Sequence, residues 1–267
     1  MKKTVITAIA VLSLTASQAQ TFHRKPAPRE YRIEEVQTPQ GVSEQIIGHL
    51  GFTVSYNRNL LIPNWVSYEL TPQEAAATRH ARMDGFAPDP AARDCSALLS
   101  DYTAEDTGYV PGQMACPSDM RWSERALEES FYLSNVCPQD RDLCNGKWLE
   151  LEQKCRFWAT KYKSPVYIVC GPLFTRDEAG FIGANEVVIP DAFFKVVCQK
   201  RGDRWCAAAF IMPNANIRND LAQLARPVAV AEILTGFKFL RNLPQDALDD
   251  VYNNVYKEDW DVPNWKY

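Results

Sequence analysis

The sequence lacks the long apolar runs and the metal-binding spacings that define two large classes of protein. After Gln20, no stretch approaches the roughly 20 consecutive apolar residues that a membrane-spanning helix needs. No two cysteines have the CxxC spacing of a zinc site, and the only histidines are His23, His49 and His80. The sequence therefore disfavours both an integral membrane protein and a zinc protein.

Motifs of several enzyme classes are also absent, and so is an excess of positive charge. There is no glycine-rich phosphate loop, no serine nucleophile elbow, no cysteine–histidine protease signature and no internal repeat. The 29 basic and 33 acidic residues give a formal net charge of −4. Because proteins that bind nucleic acid tightly usually carry a basic footprint, this balance disfavours strong non-specific binding and leaves only a local basic cleft open.

The N-terminus has the pattern of a targeting segment. Lys2 and Lys3 precede an apolar run at residues 4–15, and Ser17 and Ala19 supply the small residues of a cleavage site. We expect residues 1–19 to be a signal peptide and the protein to be exported, either to the periplasm or out of the cell. The alternative is an uncleaved membrane anchor, which the shortness of the apolar run disfavours.

Eight cysteines follow this segment, and export to an oxidising compartment lets cysteines pair. Two local disulfides are expected candidates: Cys198 with Cys206 across a polar turn, and Cys137 with Cys144 around a charged loop. Eight cysteines allow roughly a hundred pairings, so the complete connectivity stays open.

The length of 267 residues suits one large domain. Polar residues 20–44 form an expected N-terminal arm, and residues 45–267 form the expected domain. Apolar alternation and apolar runs predict strands at 51–57, 65–70, 131–134, 166–170, 186–189, 193–198 and 206–212.

Capping residues and apolar spacing predict helices at 123–130, 145–162 and 243–256. In the longest of these, one apolar face is formed by Trp148, Leu151, Cys155, Trp158 and Tyr162, which recur at steps of three and four residues. Strands outnumber helices and their order is mixed. We therefore predict an α+β fold with a largely antiparallel central sheet flanked by helices.

Several segments together match one family of nucleases. They are GYVPGQMACPSDM (108–120), FYLSNVCPQ (131–139), YIVCGPLF (167–174), VVIPDAFFKVV (187–197), AFIMPN (209–214) and EILTGFKF (232–239). Over about residues 45–245 the chain resembles the DNA/RNA non-specific endonucleases, the ββα-metal nucleases that include secreted bacterial nucleases and mitochondrial endonuclease G. The resemblance implies a ββα-metal nuclease fold and a metal-dependent hydrolysis of phosphodiesters.

At its two central catalytic positions the sequence departs from this family. Gln113 stands where the family has its general-base histidine, and an amide has no useful basicity at neutral pH. Cys144 stands at the asparagine that ligates the metal, and a thiol is a poor ligand for Mg²⁺. Val110 and Pro111 replace the Asp and Arg that precede the histidine. Asn145 is a candidate substitute ligand, although one step along a helix turns a side chain by about 100°.

Other positions of the site keep the family's residues. Arg82 corresponds to an arginine that contacts the scissile phosphate, Glu152 to the carboxylate that orders the metal's waters, and Arg156 to the helix arginine. Asn135 also matches, so the expected nucleic-acid contacts are Arg82, Asn135 and Arg156. The alternatives are structural: an ion-pair network for the charged residues and backbone hydrogen bonding for Asn135. His80 is either a displaced base or a surface histidine.

Two functions fit these residues. The first is an exported endonuclease that cleaves DNA or RNA with Mg²⁺ or Mn²⁺ as cofactor. The second is a pseudonuclease without a metal, which keeps the fold as a nucleic-acid-binding or interaction module. A third hypothesis places a cysteine-based metal or redox site at Cys144. In the first two, nucleic acid is the expected partner, and the oligomeric state stays open.

Overall fold

The computed structural model describes residues 31–80, 85–92, 95–103, 106–176 and 179–260, and its centre is a seven-stranded antiparallel sheet. The strands are β1 (Gln45–Gly48), β2 (Thr53–Asn57), β3 (Ile62–Leu70), β4 (Tyr109–Gln113), β5 (Val136–Asp140), β6 (Val166–Leu173), β7 (Gly180–Ile182), β8 (Val187–Ile189), β9 (Ala192–Arg201), β10 (Arg204–Pro213) and β11 (Ala225–Arg226). The large sheet has the order β1-β2-β3-β6-β9-β10-β11, and two separate hairpins are formed by β4 with β5 and by β7 with β8.

Helices cover both faces of this sheet. They are α1 (Pro72–Ala75), α2 (Leu99–Thr103), α3 (Glu124–Glu129), α4 (Arg141–Leu143), α5 (Leu149–Tyr162), α6 (Leu221–Leu224), α7 (Val228–Thr235) and α8 (Gln245–Asn253). The predicted α+β fold with a largely antiparallel sheet is confirmed.

The apolar strands divide their side chains between two cores because successive residues of a strand point to opposite faces. In β9, Phe193 and Val197 belong to the core under α5, whereas Phe194 and Val196 belong to the core under α7 and α8. Full burial of a large apolar side chain contributes about 1.5–3 kcal/mol, so the two cores together hold the helices on the sheet.

The longest helix forms where its sequence predicts it. Leu151, Cys155 and Trp158 are buried, and Tyr162 at the far end of the predicted face is 36% exposed. The regular helix begins at Leu149 because the preceding segment, Cys144–Trp148, is π-helical.

One predicted strand is wrong. Phe131, Leu133 and Ser134 are buried, but Leu133–Asn135 is a single 3-10 turn instead of a strand. The Asn135 side chain causes the difference, because it hydrogen-bonds the backbone of Ala115 and Ser130 and closes the chain on itself.

The predicted disulfides are also wrong, since none of the eight cysteines, all of which lie in the described ranges, is disulfide-bonded. In the β9–β10 hairpin, Cys206 lies opposite Gln199, the residue that follows Cys198. Because neighbouring residues of a strand point to opposite faces, the thiols of Cys198 and Cys206 lie on opposite faces of the sheet. Cys137 is buried opposite Gly112 in the β4–β5 hairpin, whereas Cys144 lies beyond it in the π-helical segment.

The predicted signal peptide lies outside the described residues. Among those that are described, no helix is long and apolar enough to cross a membrane. The first described segment packs against the rest of the domain at Val36 and Gln37. Val36 is buried in the core under α7, and Gln37 forms an antiparallel β-bridge with Lys238.

Candidate functional site

The β4–β5 hairpin carries Gln113, the residue that we expect at the family's general-base position. Gln113 ends β4 opposite Val136, and Gly112 faces Cys137. A Cβ at Gly112 would lie 2.5 Å from two atoms of the Gln139 side chain, so only glycine fits beside that amide. The two strands are therefore closely packed beside Gln113.

The Gln113 side chain is occupied by a hydrogen bond to the backbone. It is partly buried, and its Nε2 donates to the Ser130 carbonyl at 3.0 Å. The Trp148 indole Nε1 donates to the Gln113 carbonyl at 3.3 Å and so fixes the end of the strand against the helix. An amide in this position orients neighbouring groups and accepts no proton at neutral pH.

The segment at the family's metal-ligand position is irregular. Gly146 has φ −109° and ψ −109°, outside the helical region, within the π-helical turn Cys144–Trp148. Cys144 is partly exposed and Asn145 is exposed, with its Nδ2 donating to the Arg141 carbonyl at 2.9 Å. The regular spacing that would place Cys144 on one face with the rest of the helix is therefore broken at Gly146.

Glu152 is tied to a buried lysine. Its Oε1 lies 3.8 Å from Lys195 Nζ, and that ammonium also lies 4.0 Å from the centre of the Trp148 ring. Both charged side chains are buried. Burial raises the pKa of Glu152, and the attraction of Lys195 opposes that rise. Glu152 thus takes part in an internal ion pair beneath the helix.

Arg156 is bound to a buried carboxylate of the same chain. Its Nη1 donates to Asp119 Oδ1 at 2.7 Å and lies 3.3 Å from Cys116 Sγ. The other oxygen of Asp119 accepts a hydrogen bond from the Tyr68 hydroxyl at 2.8 Å. Burial lowers the pKa of Arg156, but the Asp119 charge outweighs this, so that the net shift is upward and the guanidinium stays ionised.

The other predicted residues of the site are Asn135, His80 and Arg82. Asn135 is fully buried, and its amide makes hydrogen bonds to the backbone of Ala115 and Ser130 at 2.8–3.0 Å. His80 is partly exposed, and its carbonyl accepts from Arg121 Nε at 2.7 Å. Arg82 lies outside the described residues. Of the predicted nucleic-acid contacts, Arg156 alone is both described and partly exposed, at 18% of its side chain.

The oxygen donors at this site do not suit a hard divalent cation, which prefers several carboxylate, carbonyl or water oxygens. Cys144 offers sulfur, Glu152 is paired with Lys195, and Asp140 caps α4 by accepting from the Asp142 and Leu143 amides. Throughout the described part of the chain, no group of three or more His, Cys, Asp or Glu residues is arranged to hold a metal ion. At the positions that the resemblance assigns to the metal, the residues present do not fit a hard divalent cation.

Gln139 is a buried amide in β5, the strand that pairs with β4. It is fully buried, and neither its Oε1 nor its Nε2 has a hydrogen-bond partner among the described groups. Val110, at the position where we expect the family's aspartate, lies directly opposite Gln139 in the hairpin. Residues opposite each other in an antiparallel pair share a face, so the apolar Val110 side chain lies on the same face as the Gln139 amide.

Sequence reasoning missed two buried polar groups that support the site. Lys195 stands in the apolar run FFKVV, and a lysine within a buried strand is a signal for an internal ion pair. His49 Nε2 lies 3.1 Å from Asp89 Oδ2, and that oxygen also accepts from the Ser134 hydroxyl at 2.5 Å. This second group joins the end of β1 to the turn that holds Asn135.

Comparison with known proteins places this geometry in a family. Residues 30–246 match the model of the DNA/RNA non-specific endonucleases. The mitochondrial nuclease EXOG of Danio rerio is 30% identical over an alignment of 250 residues that covers 83% of this chain and 72% of that protein. The mitochondrial Nuclease 1 of Schizosaccharomyces pombe is 34% identical over an alignment of 227 residues that covers 78% of this chain and 69% of that protein.

A solved structure has the same fold. The crystal structure of the EndoG/EndoGI complex contains a chain that matches with a TM-score of 0.71 at 27% identity, covering 76% of this chain and 89% of that one. The ββα-metal nuclease fold that the sequence predicts is confirmed.

The relatives also correct the predicted location. Export by a signal peptide is wrong, because the similar nucleases of Danio rerio, Schizosaccharomyces pombe, Saccharomyces cerevisiae and Homo sapiens are named as mitochondrial. Those names place the relatives in mitochondria, not in the periplasm or the cell exterior.

Proposed function

The chain belongs to the DNA/RNA non-specific endonuclease family, and on that premise we propose that it binds nucleic acid without hydrolysing it. The family supports nucleic acid as the ligand. The loss of hydrolysis is supported by the residues that occupy the catalytic positions of this chain.

One observation carries the proposal: the amide of Gln113, the residue that we expect at the general-base position, donates to the Ser130 carbonyl at 3.0 Å. The lone pair of an amide nitrogen is delocalised into the carbonyl group, so the amide does not take a proton from water at neutral pH. General-base catalysis contributes about 10²–10⁴ in rate, and this contribution is absent here.

The charge-stabilising parts of the site support the same proposal. A divalent metal ion is the general cofactor of this family, and Cys144 stands at its ligand position with a sulfur atom. Glu152 and Arg156 keep the family's residue types, but each is bound to a buried partner, Lys195 and Asp119 respectively. Their retention is explained by internal ion pairing, since removal of one member leaves a buried charge alone.

The binding that we propose is weak and sensitive to salt. Near the start of the helix, Arg141 pairs with Asp106 at 3.0 Å and Lys147 pairs with Glu150 at 2.7 Å. Cations that are already paired with carboxylates displace few counterions from a phosphate backbone, so they add little to the affinity. The net charge of −4 also repels nucleic acid at long range. We expect dissociation constants in the non-specific range of about 10⁻⁴–10⁻⁶ M.

Two measurements on the wild type test the two halves of the proposal separately. Supercoiled plasmid and single-stranded RNA are incubated with the protein and Mg²⁺ or Mn²⁺, with and without EDTA. The expected result is no cleavage above buffer, and EDTA-sensitive cleavage contradicts the loss of hydrolysis.

Binding is measured by the fluorescence anisotropy of a labelled single-stranded oligonucleotide at low and moderate salt. Weak binding that salt removes is the expected result. The absence of binding at low salt contradicts the nucleic-acid half and leaves the chain as an interaction module of the nuclease fold.

A further inference from the structure

An apolar groove with two arginines at its rim lies beyond the end of β10. It has a volume of about 490 Å³ and lies between β10, the loop that follows it, and helix α7. Its apolar wall is formed by Ile211, Ile217, Val230 and Leu234. A concave surface of this size falls in the range of about 300–1,000 Å³ that proteins use to bind ligands.

Helix α7 leaves two apolar side chains uncovered, one in the lining of this groove (Leu234) and one next to it in the chain but outside the lining (Ile233). Its inner face buries Val228 and Ala231, but Ile233 is 80% exposed and Leu234 is 42% exposed. A surface helix normally presents polar residues on its outer face. Exposed apolar side chains beside a groove are typical of an interaction surface.

The charge of the groove is opposite to that of the whole chain. Arg218 and Arg226 line it, and none of its lining residues is Asp or Glu, although acidic residues outnumber basic ones in the sequence. Arg226 Nη1 donates to the carbonyls of Gln223 at 2.7 Å and Ala225 at 2.9 Å, which hold the guanidinium at the rim. Asp220, the nearest carboxylate in sequence, is not part of the lining.

The lining favours a peptide over a nucleic acid. No aromatic side chain lines the groove, whereas proteins that bind single strands usually stack the bases on aromatic rings. Aliphatic walls accept leucine-like anchors, and arginines at the rim pair with carboxylates.

We propose that this groove docks an acidic amphipathic segment of a partner protein. Aliphatic side chains of the segment lie against Ile211, Val230 and Leu234, and its carboxylates pair with Arg218 and Arg226. The inference goes beyond the proposed function and does not depend on the loss of hydrolysis, because the groove lies outside the catalytic positions.

The test uses two short fluorescent peptides. One carries leucines at helical spacing with glutamates between them, and the other has glutamine in place of every glutamate. The wild type is compared with an Arg218→Glu, Arg226→Glu variant and with a Leu234→Gln variant. The control for charge is Arg79→Glu with Lys200→Glu, which changes two exposed cations outside the groove.

The expected result is that the wild type and the control bind the acidic peptide equally, and that both groove variants bind it about tenfold more weakly. The neutral peptide binds more weakly than the acidic one. Equal unfolding midpoints of all four proteins separate loss of the groove from loss of the fold.

Several outcomes overturn the proposal. The first is that the wild type does not bind the acidic peptide, and the second is that the groove variants bind it as tightly as the wild type does. The third is that the Arg218→Glu, Arg226→Glu variant loses oligonucleotide binding but keeps peptide binding. A wild-type dimer that Leu234→Gln converts to a monomer, with no peptide binding, identifies a second copy of the chain as the occupant and also overturns it.

Discussion

Arg156 donates to Asp119 at 2.7 Å, and so the helix arginine of this nuclease fold is bound to a carboxylate of its own chain. Asp119 is fully buried and is also held by the Tyr68 hydroxyl at 2.8 Å. The pair joins helix α5 to the segment after the β4 strand. The pair therefore has a structural role that does not depend on catalysis.

Removal of Asp119 is expected to destabilise the protein strongly. The Asp119→Ala variant leaves the largely buried Arg156 charge without its partner, which costs about 3–5 kcal/mol of unfolding free energy. Urea denaturation measures the change. The matched control is Arg141→Ala, whose side chain is 56% exposed and pairs at 3.0 Å with Asp106, which is 81% exposed, so its cost stays below about 1 kcal/mol. Equal costs for the two variants contradict this account of the pair.

The buried Asp89 is expected to make stability fall in acid. Burial would raise the pKa of Asp89, but hydrogen bonds from His49 and Ser134 outweigh it and hold the pKa below its ordinary value of 3.8. Folding favours the ionised form of Asp89 over the protonated form, and this stabilisation of the folded state is fully present above the ordinary pKa of 3.8. It is lost as the pH falls through the lower, folded-state pKa.

Denaturation of the wild type and Asp89→Asn at several pH values checks this dependence. The wild type is more stable near neutral pH, and its advantage shrinks below pH 3.8. An advantage that is constant down to strongly acidic pH means that the Asp89 carboxylate does not contribute through its charge.

Replacement of Gln139 by methionine is expected to stabilise the protein or leave its stability unchanged. Both amide atoms of Gln139 are buried without a partner, and an unmade hydrogen bond of this kind costs about 1–3 kcal/mol. Methionine has a similar shape and no polar group to desolvate. Thermal unfolding of Gln139→Met gives the change, and a loss of more than about 1 kcal/mol shows that the amide has a bonding role.

The thiols are expected to react in two groups. Six of the eight are buried: Cys116, Cys137, Cys155, Cys170, Cys198 and Cys206. Burial raises the pKa of the Cys155 and Cys170 thiols to about 12, so few thiolates form there at mild pH. The partly buried Cys95 and Cys144 react first with a thiol reagent, and all eight react after denaturation. An absence of reactive thiols in the denatured protein means that disulfides form.

Much of the fold follows from the sequence because its elements obey simple periodicity. The predicted strands at 193–198 and 206–212 lie inside β9 and β10, and the predicted helix at 145–162 contains α5. Ser123 caps α3 by accepting from the Ala126 amide, as a serine before an acidic helix start predicts. The strand predicted at 131–134 failed because side-chain hydrogen bonds of Asn135 override the apolar run.

The site was less predictable because its contacts join residues that are distant in sequence. The family motif located Gln113 and Cys144, but the pairing of Glu152 with Lys195 needs β9 and α5 to pack together. A single glycine, Gly146, breaks the helical spacing on which the expected alignment of side chains depends. The orphaned Gln139 amide appears only once the hairpin register places it opposite Val110.

The most direct test of the central claim restores the family's residues and compares cleavage with that of the wild type. The restored variant carries Val110→Asp, Pro111→Arg, Gln113→His and Cys144→Asn, and plasmid cleavage is measured with Mg²⁺ and with EDTA. The account predicts no cleavage by the wild type and EDTA-sensitive cleavage by the restored variant, with the base alone contributing about 10²–10⁴ in rate. EDTA-sensitive cleavage by the purified wild type contradicts it.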